Sequence, residues 1–128
     1  MEEKYPTKKE LKFIEKFDVT KKPVKELIEF IEGIWWMPSF GFLLKKRRNA
    51  FKTVTTTKDK PKYRYHMYLE LHTGGWSGNE DIIKSLDKNK WFSFFFKDSW
   101  KRGGHFTYEI PINLWERKSK RNNTKAKV

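Results

Sequence analysis

Residues 63–72 alternate strictly, with Tyr63, Tyr65, Met67, Leu69 and Leu71 on one side and Arg64, His66, Tyr68, Glu70 and His72 on the other. Successive side chains of a strand point to opposite faces, so this stretch demands a sheet covered on one face and open on the other. The cover is found upstream. Thr7-Lys8-Lys9-Glu10 has the spacing of a capping box and opens a short helix carrying Leu11, Phe13, Ile14 and Phe17. Pro23 suits the first turn of a second helix, in which Val24, Leu27, Ile28, Ile31, Ile34 and Trp35 recur at helical spacing while Lys25, Glu26, Glu29 and Glu32 face outward. Gly33 weakens its end and Pro38 stops it.

Around this frame, residues 42–44 and 50–57 read as strands joined by a turn at 45–49, and Asp59-Lys60-Pro61 breaks the chain. After the alternating strand comes a glycine-rich stretch and a short helix with Ile82, Ile83 and Leu86, opened near Gly78 by a second capping box, Ser77 and Glu80. Residues 91–96 read as an apolar strand, 98–104 as a turn and 105–110 as its antiparallel return, ended by Pro111. The expected fold is α+β, with two N-terminal helices packed on a mostly antiparallel sheet of about five strands and one short inserted helix. The unit spanning 63–96 also has the order of a parallel strand–helix–strand crossover. A length of 128 residues suits one domain, expected over 1–115, followed by a basic tail, 116–128, expected to lack order.

The chain has no cysteine, which excludes disulfides, thiolate metal sites and cysteine nucleophiles. Its start, MEEKYPTKKE, has no signal-peptide core, and no apolar run approaches the roughly 20 residues of a membrane span. Aromatic residues make up 17% of the chain and there are only two alanines, so most of the core area is expected from rings.

The net charge of +13 is segregated. Residues 41–66 hold nine basic side chains (Lys45, Lys46, Arg47, Arg48, Lys52, Lys58, Lys60, Lys62 and Arg64) against Asp59, a net +8. Residues 116–128 hold six (Arg117, Lys118, Lys120, Arg121, Lys125 and Lys127) against Glu116, a net +5. The rest of the chain balances at fourteen charges of each sign. Clustered cations of this kind suit a sequence-independent contact with phosphates, driven by counterion release. Lys45, Lys46, Arg47, Arg48, Lys52, Lys62, Arg64, Arg117, Lys118, Lys120 and Arg121 are therefore the candidate nucleic-acid contacts. A solvated loop and tail kept for solubility would carry the same charge. No amphipathic basic helix is present, which argues against a membrane partner.

Two glycine loops are the other candidate site. In Thr73-Gly74-Gly75-Trp76-Ser77-Gly78-Asn79-Glu80 the glycines permit positive φ and close backbone approach, but no P-loop or dinucleotide fingerprint is present. Arg102-Gly103-Gly104-His105 reads as a hairpin tip. Gly74, Gly75, Trp76 and Ser77 with Trp100, Arg102, Gly103, Gly104 and His105 could frame a ligand, the rings stacking on a base and Arg102 holding its phosphate. The combination of residues 68–71, this first loop, Trp91 and the second loop resembles small proteins of unassigned function from tailed-phage genomes, over residues 63–110. The resemblance implies a phage origin and a place in the host cytoplasm; it implies no activity.

Catalytic patterns are sparse. His66, Glu70 and His72 share one strand face, and His105 and Glu109 share another. Were those faces to coincide, three histidines and two carboxylates would gather as in metal-dependent nucleases. No HExxH pattern or nucleophile elbow is present, so no catalytic residue, metal or cofactor is assigned. The expected function is a phage accessory protein binding DNA or RNA without sequence preference. The alternatives are an anti-defence or host-takeover factor binding a host protein or a nucleotide signal, and a small virion component.

Overall fold

In the computed structural model, which describes residues 5–49 and 65–117, the first capping box closes as its spacing requires. The Thr7 hydroxyl accepts from the Glu10 amide at 3.1 Å and the Glu10 carboxylate accepts from the Thr7 amide at 2.9 Å, opening α1 (Lys8–Lys16). Helix α2 (Val24–Ile34) follows with Pro23 as its N-cap and buries Val24, Leu27, Ile28, Ile31 and Ile34. Each such side chain contributes roughly 1.5–3 kcal/mol when fully buried, so this stripe is a principal anchor of the helical layer.

A four-residue turn, α3 (Pro38–Gly41), leads into β1 (Phe42–Arg48). The alternating stretch forms β2 (Tyr65–His72), helices α4 (Ser77–Lys88) and α5 (Lys90–Phe96) follow, and β3 (Lys97–Lys101) and β4 (His105–Pro111) make a hairpin before the short α6 (Ile112–Trp115). The sheet order is β1-β2-β4-β3, antiparallel at every joint. Because β4 is antiparallel to both neighbours, β2 and β3 run parallel with β4 inserted between them. The strand–helix–strand unit is thus a crossover split by the returning strand.

The helices cover one sheet face. Leu69 and Leu71 of β2 and Phe106, Tyr108 and Ile110 of β4 meet the buried sides of α1, α2, α4 and α5 in one hydrophobic cluster. Asn89, between α4 and α5, ties these two helices to α1. Its Nδ2 donates to the carbonyls of Ile14 and Phe17 at 2.9 Å each, and its Oδ1 accepts from the Phe92 amide at 3.2 Å.

Five expectations need correction. Residues 98–101, expected in a turn, form most of strand β3 and pair with β4, leaving only 102–104 as the turn. Residues 91–96 are helical, because Asn89 caps them and Phe92 and Phe96, one turn apart, both reach the core. Lys45, Lys46, Arg47 and Arg48 lie in strand β1 and not in a turn, paired with Tyr68, Met67, His66 and Tyr65. Ser77 is the first residue of α4 and Trp76 its N-cap without a side-chain bond, so the second capping box does not form. The described sheet has four strands in place of about five, and the strand expected at 50–57 lies outside the described residues.

The Tyr108 hydroxyl is buried and has no hydrogen-bond partner among the described residues. Burial, with a smaller effect from the Asp87 carboxylate, raises its pKa above the ordinary 10.0. The phenol is neutral in both states below pH 10, and above it the unfolded chain ionises first, so this residue's contribution to stability falls as pH rises. Tyr108→Phe removes an unsatisfied polar group and is expected to raise the unfolding free energy by about 1 kcal/mol at neutral pH. Its melting temperature should also decline less than the parent's between neutral and strongly alkaline pH.

Candidate nucleic-acid interface

The open face of the sheet follows from the same alternation that built the core. Lys45 and Arg47 of β1 stand opposite Tyr68 and His66 of β2; Tyr68, Glu70 and His72 stand opposite Glu109, Thr107 and His105 of β4; Lys101 of β3 stands opposite His105. The two polar strand faces noted in the sequence therefore coincide, and three histidines and two carboxylates share one surface.

They do not converge on a point. His72 and His105 lie edge to face, with ring centroids 4.6 Å apart and their Nδ1 atoms in contact, and Glu70 is 3.6 Å from His72 Nε2. His66 belongs to a separate group, its Nδ1 bonded to Asn49 at 2.6 Å and its Nε2 4.0 Å from Glu109. Among the described residues no three histidine or carboxylate side chains have an arrangement that could hold a metal ion.

The centre of the face is electrostatically even, with Lys45, Arg47 and Lys101 against Glu70, Asp98 and Glu109. Positive charge gathers on β1, the edge strand of the sheet among the described residues. Because Lys46 and Arg48 alternate with Lys45 and Arg47, exposed cations line both sides of this edge strand. The Arg47 guanidinium lies 3.6 Å from the Tyr68 ring centroid and Lys46 Nζ 5.1 Å from that of Tyr65. An arginine stacked on a ring keeps its N–H edge available to oxygen acceptors. Desolvation, then the Glu70 charge, raise the Tyr68 pKa despite Arg47, so its hydroxyl remains a hydrogen-bond donor at neutral pH. At the end of β1 an open cavity of about 720 Å³ is lined by Arg47, Arg48, Asn49 and His66 on one side and by Phe95 and Asp98 on the other.

The remaining candidate cations separate. Arg117 is engaged internally, donating to the carbonyls of Thr20 and Val19 at 2.6 Å each and pinning the chain after α6 to the α1–α2 connection. Lys52, Lys62, Arg64, Lys118, Lys120 and Arg121 lie outside the described residues.

The two glycine loops do meet, at the opposite end of β2 from the cavity. The Thr73 amide donates to the Gly104 carbonyl at 3.0 Å, and a Cβ on Gly104 would stand 2.1 Å from the Thr73 hydroxyl. Gly104, with φ +80, must be glycine for both reasons. The proposed rim residues are divided by this contact. Trp76 is half-buried against Trp36 and Tyr5, at centroid distances of 4.5 and 5.0 Å. Trp100 is exposed on the helix side of the sheet, beside Phe106, whereas His105 faces the open side. Gly74, Gly75, Arg102 and Gly103 are exposed at the loop tips, and Ser77 is exposed at the start of α4.

Sequence reading missed the outer side of α5, where Trp91, Phe94 and Phe95 are exposed and Phe95 lines the cavity. Comparison with protein families, curated proteins and solved structures finds no match.

Proposed function

We propose that this chain is a phage accessory protein, acting in the host cytoplasm, that binds DNA or RNA without sequence preference through backbone phosphates. The supporting observation is the β1 edge. Lys45, Lys46 and Arg47 are exposed there and form no ion pair with a carboxylate among the described residues. Cations held in an extended strand repeat at about 3.3 Å per residue and alternate in direction, which suits a flexible polyanion with charge on many sides. Exposed lysines also discourage pairing of this edge with another sheet, so their placement favours a solvent-borne partner over strand addition. Among the described residues no helix is long and apolar enough to cross a membrane.

Purification from an expressing host without nuclease treatment tests the proposal. The expected result is co-purifying nucleic acid, released by high salt and destroyed by nuclease. Recovery of a stoichiometric host protein or a small nucleotide, with no nucleic acid, would replace it with the host-takeover alternative.

A further inference from the structure

Helix α5 holds five aromatic residues in seven and buries only Phe92 and Phe96. Trp91, Phe94 and Phe95 are 57%, 82% and 53% exposed. Three large exposed rings on one short helix mark an interaction surface. They are already arranged as a stack: the Trp91 and Phe95 rings lie 5.5 Å apart with 12° between their planes, and Phe94 meets Phe95 edge-on at 5.4 Å.

The occupant is set by what surrounds this stack. Phe95 forms a wall of the cavity whose other side carries Arg47 and Arg48, and the carboxylates of Asp98 and Glu109 also line it. Anionic lipid would satisfy the arginines with its phosphate, but its acyl chains have no planar face to stack on the ring. An unpaired nucleotide satisfies all three groups. Its base has a π face for Phe95, its phosphate is an acceptor for the arginines, and its amino or hydroxyl groups donate to the carboxylates. In a duplex the base faces are covered by their neighbours and cannot reach the ring.

We propose that this cavity receives an unpaired nucleotide of a single-stranded nucleic acid, with the base on Phe95 and the phosphate on Arg47 and Arg48. This rests on the nucleic-acid reading above and adds strand selectivity to it. Single strands then bind through charge and stacking, duplexes through charge alone.

The test is fluorescence anisotropy with a labelled oligothymidylate and with a duplex of equal length, using the full chain and variants whose folding is checked by thermal melting. The expected result is preference of the parent for the single strand. Phe95→Leu, which keeps apolar bulk but not a ring face, should lower single-strand affinity roughly 5- to 150-fold, leaving duplex affinity and the salt dependence unchanged. Phe95→Tyr should restore it. Arg47→Ala with Arg48→Ala should weaken both ligands and reduce both salt dependences. Equal affinity of the parent for both ligands, with Phe95→Leu neutral on both, would overturn strand selectivity and leave phosphate binding standing. Failure of the parent to bind either would overturn both readings. Binding to anionic phosphatidylglycerol vesicles that is lost in Phe95→Leu, without single-strand preference, would assign the rings to lipid. A dimer that Phe95→Leu dissociates while single-strand affinity stays unchanged would assign them to self-association.

Discussion

Replacing Asn89 with alanine is expected to destabilise the protein by about 3–7 kcal/mol, among the largest effects any single polar substitution should have here. Asn89 is 3% exposed and serves three buried backbone groups from one amide. Loss of its role as cap of α5 costs about 1 kcal/mol. The carbonyls of Ile14 and Phe17, left without its donors, cost about 1–3 kcal/mol each. Domains of this size are stable by roughly 5–15 kcal/mol, so the variant should melt at least about 10 °C lower and unfold at much lower urea concentration. Asn89→Asp keeps the capping oxygen and removes both donors, and should recover little of the loss. Parent-like melting of Asn89→Asp would show that capping alone is the contribution and that the bonds to α1 are dispensable.

The second large effect concerns binding. Replacing Lys45, Lys46, Arg47 and Arg48 together with alanine should reduce the slope of log affinity against log salt by about three to four for duplex DNA, at roughly 0.9 per phosphate contact. All four side chains are exposed, so thermal stability should change little. The same replacement should shift single-strand binding by a smaller slope, near 0.7 per contact, and remove the phosphate anchor of the Phe95 cavity. A variant that keeps the parent's slope would assign these charges to solubility.

The fold was legible wherever a local pattern and its tertiary partner agree. The Thr7–Glu10 box, the buried stripe of α2 and the alternation of β2 each state their own geometry, and each formed. Residues 91–96 did not, because a run with almost no polar residue has no period to read. Their helical state is decided by Asn89, whose bonds reach back to Ile14 and Phe17 more than seventy positions away. The basic run at 45–48 looked like a turn because lysine has low strand preference. It is nevertheless a strand, paired among the described strands with β2 alone, and all four of its cations are exposed. Ser77 and Glu80 satisfied a capping pattern on paper, yet α4 begins at Ser77 itself, with Trp76, packed on Trp36, as its cap residue.

The site was half legible. That His66, Glu70 and His72 share a face, and that His105 and Glu109 share one, follows from period two alone. That the two faces are the same surface depends on β4 entering between β2 and β3, a choice of topology with no local signature. The resulting surface is also less cationic at its centre than the chain's net charge suggests, since Glu70, Asp98 and Glu109 offset Lys45, Arg47 and Lys101 there. Positive charge instead gathers on β1, and of the exposed rings of α5 it is Phe95 that lines the cavity at the end of that strand.

Affinity of the intact protein for a random-sequence duplex, measured between about 50 and 200 mM salt, addresses the phosphate contact most directly. Four contacts from the β1 edge should weaken binding by about a hundredfold over that range, independent of base sequence. An affinity that stays constant with salt, or duplex binding absent even at the lowest concentration, would contradict it.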